Sequence, residues 1–167
     1  MKKPTNTMRL EIAAISANES FARGTIAAFA SQANPTLDEI NDIKTAISEA
    51  VTNCVVHAYS KKGNGTIIID CELFCDSLLV KITDTGIGIK NIEKALEPFF
   101  TTRPDEERSG MGFTVMQSFM DTLNVTSKQG FGTTVSMQKF FTKQKSKVAE
   151  PEQVCKAYRT KRVTAVS

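Results

Sequence analysis

The sequence predicts a two-layer α/β sandwich, a mixed β-sheet covered on one face by three helices. Three observations predict it. Strand-like stretches alternate apolar and polar residues, so a sheet buries one face and wets the other. The stretches between them carry apolar residues at helical spacing. The chain has 167 residues, of which 41% are hydrophobic, enough for one real core.

The elements follow in order. Residues 7–15 place Met8, Leu10, Ile12 and Ala14 on one face, a half-buried strand. Ser16-Ala17-Asn18-Glu19 reads as a capping box opening a helix to about Ser31, and Asn34-Pro35 breaks the chain. Thr36-Leu37-Asp38-Glu39 is a second capping box. It opens a longer helix to about Tyr59, with Ile40, Ile43, Ile47, Val51, Cys54 and Val55 on its apolar side. Lys61-Lys62-Gly63-Asn64-Gly65 ends it. Ile67, Ile69, Cys71 and Leu73 then share one strand face, and Leu78, Val80 and Ile82 another, with the turn of a hairpin at Cys75-Asp76. Glycine and proline punctuate the stretch from Asp84 to Ser109, which holds one short helix near 91–97. A helix over 110–121 carries Phe113, Met116 and Met120. Strands over 123–127 and 133–141 flank a turn at Gly130–Gly132.

The net charge of +3 is unevenly distributed. Residues 1–142 hold 14 Lys and Arg against 16 Asp and Glu, whereas residues 143–167 hold 7 against 2. The positive excess lies in the last segment, which is polar, aperiodic and reads as a basic, disordered tail on a 1–142 domain. A body-wide surface for direct nucleic-acid binding is not indicated. Apolar runs are too short to span a membrane, and no apolar stretch follows Met1-Lys2-Lys3-Pro4. Cys54, Cys71, Cys75 and Cys155, with the one histidine His57, lack zinc-site spacing. The cysteines read as buried or idle thiols of a reducing cytoplasm.

Four short patterns carry chemistry. Glu49 and Asn53 are four apart on the long helix and project from one face. A carboxylate there can deprotonate a nucleophile, and a carboxamide oxygen suits Mg²⁺. Taken alone, such a pair is more commonly a solvated polar stripe on a helix. Asp84-Thr85-Gly86-Ile87-Gly88 follows a strand. Its glycines, Gly86 and Gly88, let backbone approach a flat ligand, and its aspartate can accept from an exocyclic amine; a tight turn has the same look. Arg108-Ser109-Gly110-Met111-Gly112 leads into a helix, where free N–H groups attract phosphate and Arg108 adds a charged fork; a plain helix start also reads this way. Gly130-Phe131-Gly132-Thr133-Thr134 is a hairpin turn whose hydroxyls can reach a base edge. No G-x-x-x-x-G-K-[ST] loop and no H-R-D or D-F-G signature is present.

In this order and setting, the four patterns over residues 7–142 resemble the boxes of the superfamily of gyrase B, Hsp90, histidine kinases and MutL. That likeness implies the Bergerat-type ATP-binding fold. Asn18-Glu19-Ser20-Phe21-Ala22-Arg23, Glu49-Ala50-Val51-Thr52-Asn53, Pro98-Phe99-Phe100-Thr101-Thr102-Arg103-Pro104 and Glu107-Arg108-Ser109-Gly110-Met111-Gly112-Phe113 are similar to the bacterial anti-sigma F factors. These are serine kinases of the sporulation cascade. The resemblance implies ATP and Mg²⁺ as cofactors, a sigma factor that is bound and silenced, an anti-anti-sigma factor phosphorylated on serine, and a homodimer.

The same resemblance implies residue roles. Glu49 matches the catalytic base and Asn53 the Mg²⁺ ligand. Asp84 matches the adenine-reading aspartate, with Gly86 and Gly88 beside the base and Thr133 near adenine. Ser109, Gly110, Met111 and Gly112 match the phosphate cradle, and Arg108 the lid arginine facing the γ-phosphate. Arg23 matches a partner-docking arginine; an exposed helix charge is the plainer alternative. Residues 90–109 are expected to form a lid. The competing expectations are a stress-response anti-sigma kinase acting on another sigma factor, and a module that binds ATP without transferring phosphate.

Overall fold

The structure, a computed structural model, describes residues 3–59, 65–98 and 110–142. The chain runs β1 (Asn6–Ala13), α1 (Ala17–Ala30), α2 (Leu37–Asn53), a π-helical turn (Cys54–Ala58), β2 (Thr66–Leu73), β3 (Ser77–Asp84), α3 (Ile92–Ala95), α4 (Gly112–Phe119), β4 (Thr122–Lys128) and β5 (Gly132–Phe140). The strands form one sheet in the order β1-β2-β3-β5-β4. Every pairing is antiparallel, which corrects the expected mixed sheet. The helical connection after β3 carries the chain past its neighbour to the sheet edge, and the β4–β5 hairpin then lays β5 beside β3. Strand adjacency is a long-range property that local alternation does not carry.

The period of two decides which strand residues meet the helices. Ile67, Ile69, Cys71 and Leu73 of β2, Leu78, Val80 and Ile82 of β3, and Val135 and Met137 of β5 are buried. Ala22, Ile26 and Phe29 of α1, Ile43, Ala46, Ile47, Ala50 and Val51 of α2, and Met116 of α4 join the same core. The opposite face is polar and pairs across strands, with Arg9 3.3 Å from Asp70 and the Thr83 and Thr134 hydroxyls 3.1 Å apart. Among the described residues no helix is long and apolar enough to cross a membrane.

Of the two expected capping boxes, one forms. At α2 the Thr36 hydroxyl accepts from the Glu39 N–H at 3.1 Å, and the Glu39 carboxylate accepts from the Thr36 N–H at 2.7 Å. The other Glu39 oxygen accepts from the Thr142 N–H at 2.6 Å, beyond the last strand. Burial opposes ionisation of Glu39, but these bonds from Thr142 and Thr36 outweigh it and hold the carboxyl below its ordinary value. At α1 the Ser16 side chain does not cap. Its backbone is already helical (φ −59°, ψ −32°), and Glu19 lies 3.3 Å from Arg23 one turn ahead. An opposite charge at i+4 competes for the carboxylate that a box would need.

Candidate active site

The same alternation that buries Ile82 also turns Asp84, two residues on, toward the helices. Asp84 ends β3 and is 4% exposed, opposite Thr133 on β5. Its Oδ1 accepts the N–H of Gly86 at 2.9 Å and of Thr133 at 3.3 Å, and its Oδ2 lies 3.8 Å from Cys54 Sγ. Burial pushes the carboxyl above its ordinary value, and the Gly86, Thr133 and Cys54 hydrogen bonds hold it back only partly. An ionised Asp84 here is an acceptor-only group, one of whose oxygens is already committed to backbone.

The end of the long helix holds this corner together. The expected α-helix to Tyr59 changes to a wider π turn at Cys54. That turn presents the Ala58 carbonyl to the loop after β3, where it accepts the Ile87 N–H at 3.2 Å. Gly86 packs so closely there that a Cβ would collide with that carbonyl. The Tyr59 hydroxyl accepts the Thr85 N–H and donates to the Thr66 carbonyl, each at 2.8 Å. Across the loop, Gly88 has φ +69° and abuts the Lys128 carbonyl. Ser127 Oγ accepts the Ile89 N–H at 2.8 Å and lies 2.9 Å from the Thr133 hydroxyl. The space that Gly86 and Gly88 leave is thus filled by the chain itself.

The second corner faces α4. Glu49 and Asn53 are both half-buried on α2. A Cβ built at Gly112 would lie 3.2 Å from Glu49 Oε2 and from Asn53 Nδ2, and 3.3 Å from Asn53 Oδ1. Both tips therefore converge on the first residue of α4. The Met111 side chain at its N-cap makes no capping hydrogen bond, and the first N–H groups of an α-helix have no intrahelical acceptor. Gly110 has φ +63°, and Met111 is the N-cap. At the far end of α4, Lys139 Nζ donates to the Phe119 carbonyl at 2.9 Å and to Asp42 of α2 at 2.7 Å, fixing α4 against α2.

The expected residues thus fall into groups. Asp84, Gly86, Gly88 and Thr133 form one corner, and Glu49, Asn53 and Gly112 another. Arg23 stands apart on α1, 3.3 Å from Glu19 and 3.4 Å from Ser48 Oγ, lining a cleft of about 450 Å³ with Asn41, Lys44, Thr45 and Ser48. Arg108 and Ser109 lie outside the described residues, as do 99–109 of the expected lid and the tail. Sequence reasoning missed Tyr59, Ser127 and the role of Cys54. Cys54 sits at an apolar helical position, and its contact with Asp84 depends on strand–helix packing between residues 30 apart in sequence.

A helix-backed antiparallel sheet, with an acid–amide pair facing a glycine helix start, defines an ATPase domain of the histidine kinase-like class. The family described as "Histidine kinase-like ATPase domain" matches residues 12–139. The anti-sigma F factor of Clostridium beijerinckii is 54% identical over 136 residues, 81% of this chain and 95% of that one. The anti-sigma F factor of Clostridium acetobutylicum is 55% identical over 136 residues, 81% of this chain and 94% of that one. The crystal structure of the RsbU and RsbW domains of Rv1364c from Mycobacterium tuberculosis shares the fold, with TM-score 0.61 and 17% identity over 87% of this chain and 35% of that one. The chain belongs to the anti-sigma F factor family.

Proposed function

We propose that this chain is an anti-sigma factor that binds and inhibits a sporulation sigma factor of the sigma F type, and that it uses ATP and Mg²⁺ to phosphorylate a serine of an anti-anti-sigma factor. It would act as a homodimer in the cytoplasm. The observation that carries the kinase reading is the convergence of Glu49 and Asn53 on the glycine that starts α4. Phosphoryl transfer is mostly positioning and charge neutralisation, and this corner offers a base, an oxygen ligand and backbone donors together.

In this reading Asp84 accepts the adenine amine, with Thr133 beside it and the Gly86 and Gly88 loop against the base. Gly110, Met111 and Gly112 offer N–H groups to the phosphates, joined by Ser109 and Arg108. The Asn53 carboxamide oxygen suits Mg²⁺, which neutralises phosphate charge when bound. Glu49 takes the proton from the partner's serine hydroxyl as the new O–P bond forms. The bond between the γ-phosphorus and the bridging oxygen breaks, and ADP leaves. Arg23 and its cleft serve as partner-docking surface.

The test mixes the purified chain with labelled ATP, Mg²⁺ and candidate anti-anti-sigma proteins. Label is expected on a partner serine, and a sigma factor should co-elute with the chain when nucleotide is present. Stable ATP binding without transfer to any of these partners would leave a binding module instead. Charge reversal at Arg23 should weaken both partner complexes, and unchanged affinities would remove it from docking.

A further inference from the structure

We infer that the Cys54 thiol is a positioning group for the Asp84 carboxylate, holding Oδ2 in the plane from which it selects a ligand N–H. The inference rests on the reading of Asp84 as the base-recognising group.

The geometry begins with an asymmetry between the two carboxylate oxygens. Oδ1 accepts two backbone N–H groups, from Gly86 at 2.9 Å and Thr133 at 3.3 Å, so it is pinned from two strand ends. Oδ2 receives one contact among those described, from Cys54 Sγ at 3.8 Å across the helix–sheet interface. Rotation about the Cβ–Cγ bond moves both oxygens together, so the N–H bonds on Oδ1 set the carboxylate plane and the thiol contact on Oδ2 resists the same rotation from the opposite side. Both groups are buried, Cys54 at 4% exposure and Asp84 at 4%, and low local polarity strengthens the contact between them.

The chemistry of the donor matters as much as its place. Sulfur is a weak hydrogen-bond donor, and a thiol here orients Oδ2 without saturating it. The remaining lone pair stays available to an incoming amine. Burial, then the adjacent Asp84 charge, push the thiol far above its ordinary value, so it keeps its proton and acts only as a donor. A carboxylate fixed as a pure acceptor favours a purine with a 6-amino group and rejects one with a 6-oxo group, because the latter leaves a buried acceptor unpaired.

The contact sits where α2 passes into the π turn. Cys54 is its first residue, and the same turn presents Ala58 to the Ile87 N–H. The thiol is therefore mounted on the segment that also clamps the loop.

Four variants separate the possibilities: Cys54→Val, which fills the space without a donor, Cys54→Ala, Cys54→Ser and Asp84→Asn. The probes are ATP and ITP, which differ at the 6-position, with binding followed by calorimetry and thermal midpoint measured beside it. Expected for Cys54→Val and Cys54→Ala is an ATP affinity lower by about three- to tenfold. The ATP-over-ITP preference narrows as well, and the Cys54→Val midpoint stays near wild type. Cys54→Ser should restore the preference. Wild-type affinity and preference in Cys54→Val would overturn the inference, as would selectivity that falls only in step with the thermal midpoint. If Asp84→Asn keeps wild-type ATP binding, the base-recognition reading itself fails. If Asp84→Asn loses binding while both donorless Cys54 variants keep selectivity, only the role of Cys54 fails.

Discussion

The two corners of the site are built from different material. Around Asp84 the tightest approaches are to backbone: two N–H groups on one carboxylate oxygen, the Ala58 carbonyl against Gly86, and the Asp84 carbonyl where a Cβ on Gly132 would fall, with the Cys54, Tyr59 and Ser127 tips tying them together. Around Glu49 the parts are side-chain tips: the three atoms nearest a Cβ on Gly112 belong to the ends of Glu49 and Asn53. Backbone cannot yield without moving an element, whereas side-chain ends can rotate. Recognition and stability therefore share atoms at the first corner. At the second, chemistry can change while the fold persists.

The largest effect tests the second corner. Glu49→Gln should slow serine phosphorylation by about 10²- to 10⁴-fold and leave the ATP Kd within about threefold. Parallel loss of both would make Glu49 a binding group and break the contrast. A pair of glycine variants sharpens it next. Gly86→Ala meets a fixed carbonyl and should destabilise the fold by about 2–3 kcal/mol in denaturant unfolding. Gly112→Ala should cost less than about 1 kcal/mol of stability but lower nucleotide affinity about tenfold, since its methyl crowds Glu49 and Asn53. Equal stability losses in the two would erase the distinction.

At the first corner, Asp84→Asn should weaken ATP binding by about 10- to 100-fold, the loss of a charged hydrogen-bond acceptor. Because Asp84 titrates above its ordinary value of 3.8, ATP affinity should fall earlier on acidification than an exposed aspartate allows, read by calorimetry against pH. The smallest effect lies outside both corners. Glu39→Gln should cost about 1 kcal/mol at pH 7 by weakening a cap. The Glu39 carboxyl lies below its ordinary value of 4.5, so its contribution is present above that pH and is lost as pH falls through the lower folded value. Wild type and variant should converge in unfolding curves taken in acid.

Much of this was legible. The alternation through Leu78, Val80 and Ile82 predicts the buried face of β3, and the Thr36–Glu39 spacing named a cap that forms. What was hidden depends on competition or distance. Ser16 to Glu19 has the spacing of a box, yet Arg23 stands one turn beyond Glu19. The antiparallel placement of β5 beside β3 is decided by contacts between remote segments. The π turn leaves no mark in hydrophobic spacing, because Cys54 and Val55 are buried as an α-helix would bury them. Its signature is in hydrogen bonds, the Tyr59 N–H reaching back to the Cys54 carbonyl.

Thr142 donates its N–H to Glu39, although about a hundred residues separate them in sequence. A truncated version of this domain therefore has a natural cut point. The family pattern stops at residue 139, but a fragment ended there would leave one oxygen of the α2 cap without its donor. The smallest piece that keeps the central helix fully capped extends through Thr142.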